Sequence, residues 1–225
     1  MKLKLHIVAI AIILFTQNAF AQQDWANLSK YKEANSKLTM KSGNRIVFMG
    51  NSITEGWMQD TTSFFYTKNY INRGIGGQTT PQMLVRFRAD VIDIDADVVV
   101  ILAGINDIAG NTGPSMLEMI FNNIKSMAEI ATANNVKVIL SSVLPAYDFP
   151  WRPGLNPAEK VIKLNEMINA YANKNGFIYL DYYTSMVDDK RGLRKEYTDD
   201  GVHPTLAGYK VMEPLAERAI TKAIK

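Results

Sequence analysis

Asp97-Val98-Val99-Val100-Ile101-Leu102-Ala103-Gly104-Ile105-Asn106-Asp107 is the stretch from which the fold of this chain can be read. From Val98 to Leu102 it is apolar at every position, without the polar alternation of a strand that has one face in water. It therefore reads as a strand buried on both faces, which belongs at the centre of a parallel sheet covered by helices. Beyond the strand the chain turns at a glycine into a polar Asn-Asp pair, where the carboxyl end of the strand would stand.

Working outward, short β-branched or apolar runs alternate with longer stretches of helical period, the pattern of an α/β fold. Five strands are expected: Arg45 to Met49, Tyr70 to Asn72, Asp97 to Leu102, Val136 to Val143 and Phe177 to Leu180. Helix starts are marked by Thr79 or Thr80 ahead of Pro81, by Ser115 with Glu118 three residues on, and by Asn156-Pro157; Asn175-Gly176 closes the last of these. Leu117, Ile120, Ile124 and Met127 recur at helical spacing, as do Val161, Leu164, Ile168 and Tyr171, so each helix has one face for the sheet. A final helix follows Pro204, with Pro214 expected to kink or restart it, and an N-terminal helix is expected from Trp25 to Leu38.

The first residues read differently. Lys2 and Lys4 precede an apolar run from Ile7 to Phe15 and the small-residue site Ala19-Phe20-Ala21, which together predict a signal peptide over residues 1–21. The remaining 22–225 are expected to form one domain, periplasmic or secreted from a bacterium. The apolar run is shorter than the roughly 20 residues that span a bilayer, so no membrane span is expected. The chain has no cysteine, hence no disulfide and no acylated cysteine. Without Lys2 and Lys4 there are 23 Lys and Arg against 22 Asp and Glu, a balance that gives no electrostatic case for nucleic acid. Removal of His6 leaves His203 as the only histidine.

Polar and glycine residues fall just after the first three strands, as Gly50-Asn51-Ser52, Arg73-Gly74-Ile75-Gly76-Gly77 and Gly104-Ile105-Asn106-Asp107. Ligands of open α/β sheets bind at that edge. A serine hydroxyl becomes a nucleophile only when a neighbouring base takes its proton, usually with a carboxylate behind the base. Ser52 is the candidate nucleophile and also a candidate N-cap of a short helix; a serine opening a helix would turn its own N–H toward the site. His203 is the one available base. Within Asp200-Gly201-Val202-His203-Pro204 the Asp200 carboxylate can fold back to the imidazole, and Asp199 competes for that place. Gly74 and Asn106 are candidate donors to the oxyanion of a tetrahedral intermediate, one through its backbone N–H and the other through its side-chain amide, while Gly76 and Gly77 read as turn formers.

These residues carry a resemblance. Gly50-Asn51-Ser52-Ile53, Gly74, Gly104-x-Asn106-Asp107 and Asp200-x-x-His203 resemble, in order, the four signature blocks of the SGNH (GDSL) hydrolase superfamily. The segment around Ser52 is similar to the platelet-activating-factor acetylhydrolase-like branch, whose members commonly remove short acyl groups. The resemblance implies a three-layer α/β/α, flavodoxin-like fold with a five-stranded parallel sheet. It also implies a Ser52, Asp200 and His203 triad, an oxyanion hole from the N–H groups of Ser52 and Gly74 with Asn106, and no cofactor or metal. The name-giving Gly-Asp-Ser-Leu stands here as Gly-Asn-Ser-Ile, which leaves the triad in place and changes the hydrogen bonding beside the nucleophile.

Tyr147, Phe149 and Trp151, in the proline-rich loop after the fourth strand, are candidate substrate contacts; rings beside a polar crevice suit sugars or aryl esters. The expected activity is hydrolysis of short-chain acyl esters, with a small-molecule or glycan ester as the partner. The alternatives are a lipase- or thioesterase-type acylhydrolase of the same fold, an exported glycan-binding protein, and a metal-dependent phosphoesterase using Asn51, Asp107, Asp200 and His203.

Overall fold

The computed structural model describes residues 24–39, 41 and 43–225; the expected signal peptide lies outside them. Five parallel strands, β1 (Ile46–Gly50), β2 (Ile71–Gly74), β3 (Val98–Leu102), β4 (Lys137–Ser141) and β5 (Ile178–Leu180), form one sheet in the order β2-β1-β3-β4-β5. The helices are α1 (Lys32–Ser36), α2 (Ser52–Gly56), α3 (Phe64–Thr67), α4 (Thr80–Phe87), α5 (Ile105–Ile108), α6 (Leu117–Ala133), α7 (Ala158–Asn175), α8 (Tyr183–Met186) and α9 (Leu206–Ala223). The all-apolar strand β3 is the third of five and buried at every position, as its composition requires.

The sheet is covered on both sides. On one side α4 packs on α6 and α6 on α7. On the other, Phe48 of β1 meets Trp57, Phe64 and Phe65, and Trp57 stacks on Tyr209 of α9 at 5.1 Å. This three-layer α/β/α arrangement puts a switch in strand order between β1 and β3. The chain leaves β1 for β2 on one flank and returns to β3 on the other, so the connections part and open a crevice at the carboxyl ends of β1 and β3. In register Gly50 lies beside both Gly74 and Leu102, which brings the loops after β1, β2 and β3 to one level.

Several local expectations need correction. The stretch from Trp25 is not one helix: the Asp24 carboxylate accepts from the N–H groups of Leu28 and Ser29, Asn27 takes a left-handed φ of 56°, and only Lys32–Ser36 is helical. Ser115 does not cap α6, which starts after Met116 with no side-chain cap. The helix after Pro204 runs on through Pro214 and does not restart there. The capping box ahead of Pro81 does form: Thr79 and Gln82 bond reciprocally at the start of α4.

Candidate active site

At the end of β1, Asn51 is the residue that caps α2; its Oδ1 accepts from the Ile53 N–H at 3.0 Å. Ser52 is thus the first residue of the helix and not its cap. The asparagine performs the acceptor task that an aspartate would, without a buried charge. Its Nδ2, fully buried, has no partner among the described residues. The N–H of Ser52 belongs to the first turn, where no intrahelical carbonyl can receive it.

Ser52 Oγ lies 2.9 Å from His203 Nε2, and His203 Nδ1 lies 2.6 Å from Asp200 Oδ2. The turn that carries the last two is tied at several points. Asp200 Oδ1 accepts from the N–H groups of Val202 at 2.9 Å and His203 at 2.8 Å, while the Thr198 hydroxyl donates to the His203 carbonyl at 2.8 Å. Burial alone would raise the Asp200 carboxyl, but the backbone and ring of His203 and the N–H of Val202 together hold it below the usual carboxylate range. Asp199, the competing carboxylate, is exposed, and Asp200 alone engages the ring.

Gly104 bends the chain from β3 into α5 at a φ of 120°, where a Cβ would fall 2.7 Å from Leu164 Cδ2. That turn buries Asn106 at the crevice. Its Nδ2 donates to the Gln78 carbonyl at 2.9 Å, which leaves a second amide hydrogen for a ligand. The adjacent Asp107 faces away from this chemistry: both of its oxygens accept from the Thr80 N–H at 3.0 Å, and Oδ1 takes the Thr80 hydroxyl at 2.6 Å. Burial outweighs these bonds and raises its carboxyl to about 6.

Gly74 does not fit the donor role expected of it. Its N–H is spent on Asn72 Oδ1 at 2.8 Å, and a Cβ at this position would fall 2.1 Å from the Glu55 nitrogen. Its small size serves the packing of α2 against β2. Of the two glycines read as turn formers, Gly76 donates to Glu55 Oε2 at 2.7 Å, and the N–H of Gly77 makes no hydrogen bond among the described residues. The turn stands against the nucleophile, since a Cβ on Gly76 would come 4.0 Å from Ser52 Cβ. Spacing within a run of glycines carried no signal that separates the engaged amides from the open one.

The aromatic loop reaches the site unevenly. Trp151, 46% exposed, has its ring 5.9 Å from that of His203. Phe149, at 0%, packs its ring 5.3 Å from that of Trp151 and backs the neighbouring cleft from within the core. Tyr147, 59% exposed, lines a cleft of about 390 Å³ with Pro150, Lys190 and Asp200. The loop is anchored by Asp148, which accepts from Phe149 and Gly154, and by Arg152, which donates to the Ala109 and Gly110 carbonyls at the end of α5. Among the described residues no group of three or more His, Cys, Asp and Glu is placed to hold a metal, and no helix is long and apolar enough to cross a membrane.

The family profile described as GDSL-like lipase/acylhydrolase matches residues 48–211. The chain is 50% identical to a candidate acylhydrolase of Bacteroides fragilis, with 91% of this chain and 100% of that one covered and a TM-score of 0.88. It is also 50% identical to a GDSL-like lipase of Bacteroides thetaiotaomicron, covering 88% and 98%, with a TM-score of 0.85. A Streptococcus pneumoniae protein named for platelet activating factor is 25% identical over 93% of this chain and 98% of its own, with a TM-score of 0.71. Among curated proteins none matches.

Proposed function

This chain belongs to the GDSL-like lipase/acylhydrolase family and is an ester hydrolase, and on that footing we propose that it is an exported serine esterase acting on short-chain acyl esters. The observation that carries the mechanism is the hydrogen-bonded line from Ser52 Oγ through the two ring nitrogens of His203 to Asp200, with distances of 2.9 and 2.6 Å. Ser52 Oγ attacks the ester carbonyl carbon while its proton passes to His203 Nε2, and the carbonyl π electrons move onto oxygen. The resulting oxyanion is received by the N–H of Ser52, the free amide hydrogen of Asn106 and the open N–H of Gly77, which takes the place first assigned to Gly74. Collapse breaks the bond to the alcohol oxygen, which leaves with the proton from Nε2. Water then repeats the sequence on the acyl-enzyme and frees the acid.

The alcohol side of the substrate lies along Trp151 and Tyr147. Exposed rings beside a polar crevice suit a sugar face, so an O-acetylated glycan is the favoured natural ester. Aryl acetate hydrolysis by the mature chain, compared with Ser52→Ala, is the test: loss of turnover to a residual level in a folded variant is expected. Parental rates in that variant would overturn the mechanism. A series of aryl esters from acetate to palmitate tests the acyl preference. Efficiency should fall beyond about four carbons, because each methylene contributes about 0.8 kcal/mol only where a pocket receives it. A maximum at about eight carbons or longer would favour a lipase.

A further inference from the structure

Beneath the crevice lies a buried cation that the reaction steps above do not use. Arg86 of α4 is 0% exposed, and four of its five N–H groups are engaged. Nη2 donates to the carbonyls of Gly50 and Arg73, each at 2.9 Å; Nη1 donates to Asp90 at 2.8 Å; and Nε donates to Gln78 Oε1 at 2.6 Å. Gly50 ends β1 two residues before Ser52, and Arg73 precedes the glycine turn after β2. Gln78, 3% exposed, closes that turn. Its side-chain amide donates to the Ala26 carbonyl at 2.8 Å, and its main-chain carbonyl accepts from Asn106 Nδ2 at 2.9 Å.

Burying an ion pair is a poor way to gain stability, because desolvation offsets the attraction; an apolar pair of similar volume commonly does as well. A guanidinium does what an apolar side chain cannot: its rigid planar fork fixes several acceptors at set angles. Here those acceptors are the ends of two strands and the turn between the open Gly77 amide and Asn106. We propose that Arg86 and Gln78 are positioning residues that set the oxyanion donors relative to Ser52, with Gln78 acting through Asn106. This rests on the reading of Asn106 as an oxyanion donor.

The test is a double-mutant cycle on aryl acetate with Gln78→Met and Asn106→Ala, each checked for parental circular dichroism and thermal melting. Gln78→Met keeps the side-chain length and loses both side-chain hydrogen bonds, so the main-chain carbonyl that accepts from Asn106 is no longer held in place; kcat should fall about tenfold with KM within about twofold, as expected for misplaced transition-state donors. In the Asn106→Ala background the same change should lower kcat by no more than about twofold, because the group it positions is gone. Arg86→Lys keeps the charge for Asp90 but has three donors for four acceptors, and should lower kcat about tenfold or more. If Gln78→Met does not fold, Gln78→Leu, which likewise has neither the acceptor toward Arg86 nor the donor toward Ala26, replaces it with the same expectations. Parental kcat in the Gln78 variant beside a slow Asn106→Ala would overturn the relay alone, as would full multiplication of the two losses. Parental kcat in Asn106→Ala would remove the oxyanion reading and the relay with it.

Discussion

The ring of Trp151 stands 5.9 Å from the ring of His203, inclined by 38°, with Phe149 behind it at 5.3 Å. A half-exposed indole backed by a buried phenyl ring presents a flat surface beside the imidazole. Trp151→Ala should therefore raise KM for an aryl or glycosyl acetate about fivefold, the equivalent of about 1 kcal/mol of ring contact, with a smaller change in kcat. Steady-state kinetics on acetate esters of large and small alcohols would check this. Equal effects on methyl acetate and on the larger esters would mean that the ring serves His203 and not the alcohol.

Asn106 donates one amide hydrogen to Gln78 and keeps the other for a ligand. Its replacement by Ala should lower kcat about 10²-fold or more with a lesser effect on KM, because an oxyanion exists only in the transition state and the intermediate that follows. Measurement of both constants separates the two roles; a loss confined to KM would make Asn106 a binding residue.

Only the neutral imidazole can accept the Ser52 proton, so turnover should rise with pH through one ionisation and reach a plateau. The Asp200 carboxylate, held below its ordinary range by the groups around His203, stays charged across that window. In the proposed mechanism it supports the imidazolium formed during attack. Asp200→Asn should keep the acid limb but lower the plateau, while a folded His203→Ala should have no such limb. A pH–rate profile of the three proteins decides the point; survival of the same limb without His203 would identify another base.

Asp107 gives a stability prediction of unusual sign. Its carboxyl is raised from an ordinary value of 3.8 to about 6, chiefly by burial, so between these pH values the folded chain binds more protons than the unfolded one. Its contribution therefore weakens as pH rises from about 4 to about 6, the reverse of a salt-bridged carboxylate. Asp107→Asn carries no such charge. The melting temperature of the variant relative to the parent should rise across that interval, by an amount equivalent to about 3 kcal/mol at most. A difference that does not change with pH would show that Asp107 does not titrate in this range.

Much of this site was legible in the chain because its elements are local. The apolar run Val98–Leu102 has no polar face to give to water, and so its central place in the sheet follows from composition. Gly104 and Asn106 come at its carboxyl end, where a parallel sheet opens its crevice. With His203 the only histidine among the described residues, and Asp200 three residues before it, the partner of Ser52 could be named across 151 positions of sequence. A further signal lay in α4 and the π-helical turn Arg88–Ile92 that continues it, where Arg86 and Asp90 are buried with Met83 and Phe87. Two charges at helical spacing on an apolar stripe indicate a buried pair, but not what that pair holds.

What only the tertiary structure decided is which groups remain open. Gly74, Gly76 and Gly77 are equivalent as letters, and each carries the same peptide N–H. Asn72 takes the first and Glu55 the second, and the third has no acceptor among the described residues. Phe149 and Trp151 are likewise two aromatics of one loop, yet the buried one supports and the exposed one faces His203. Residue type determines that a donor or a ring exists. Whether it is free to meet a substrate depends on neighbours brought close by folding, because an N–H satisfied inside the protein, or a ring already covered, has little left to offer a ligand.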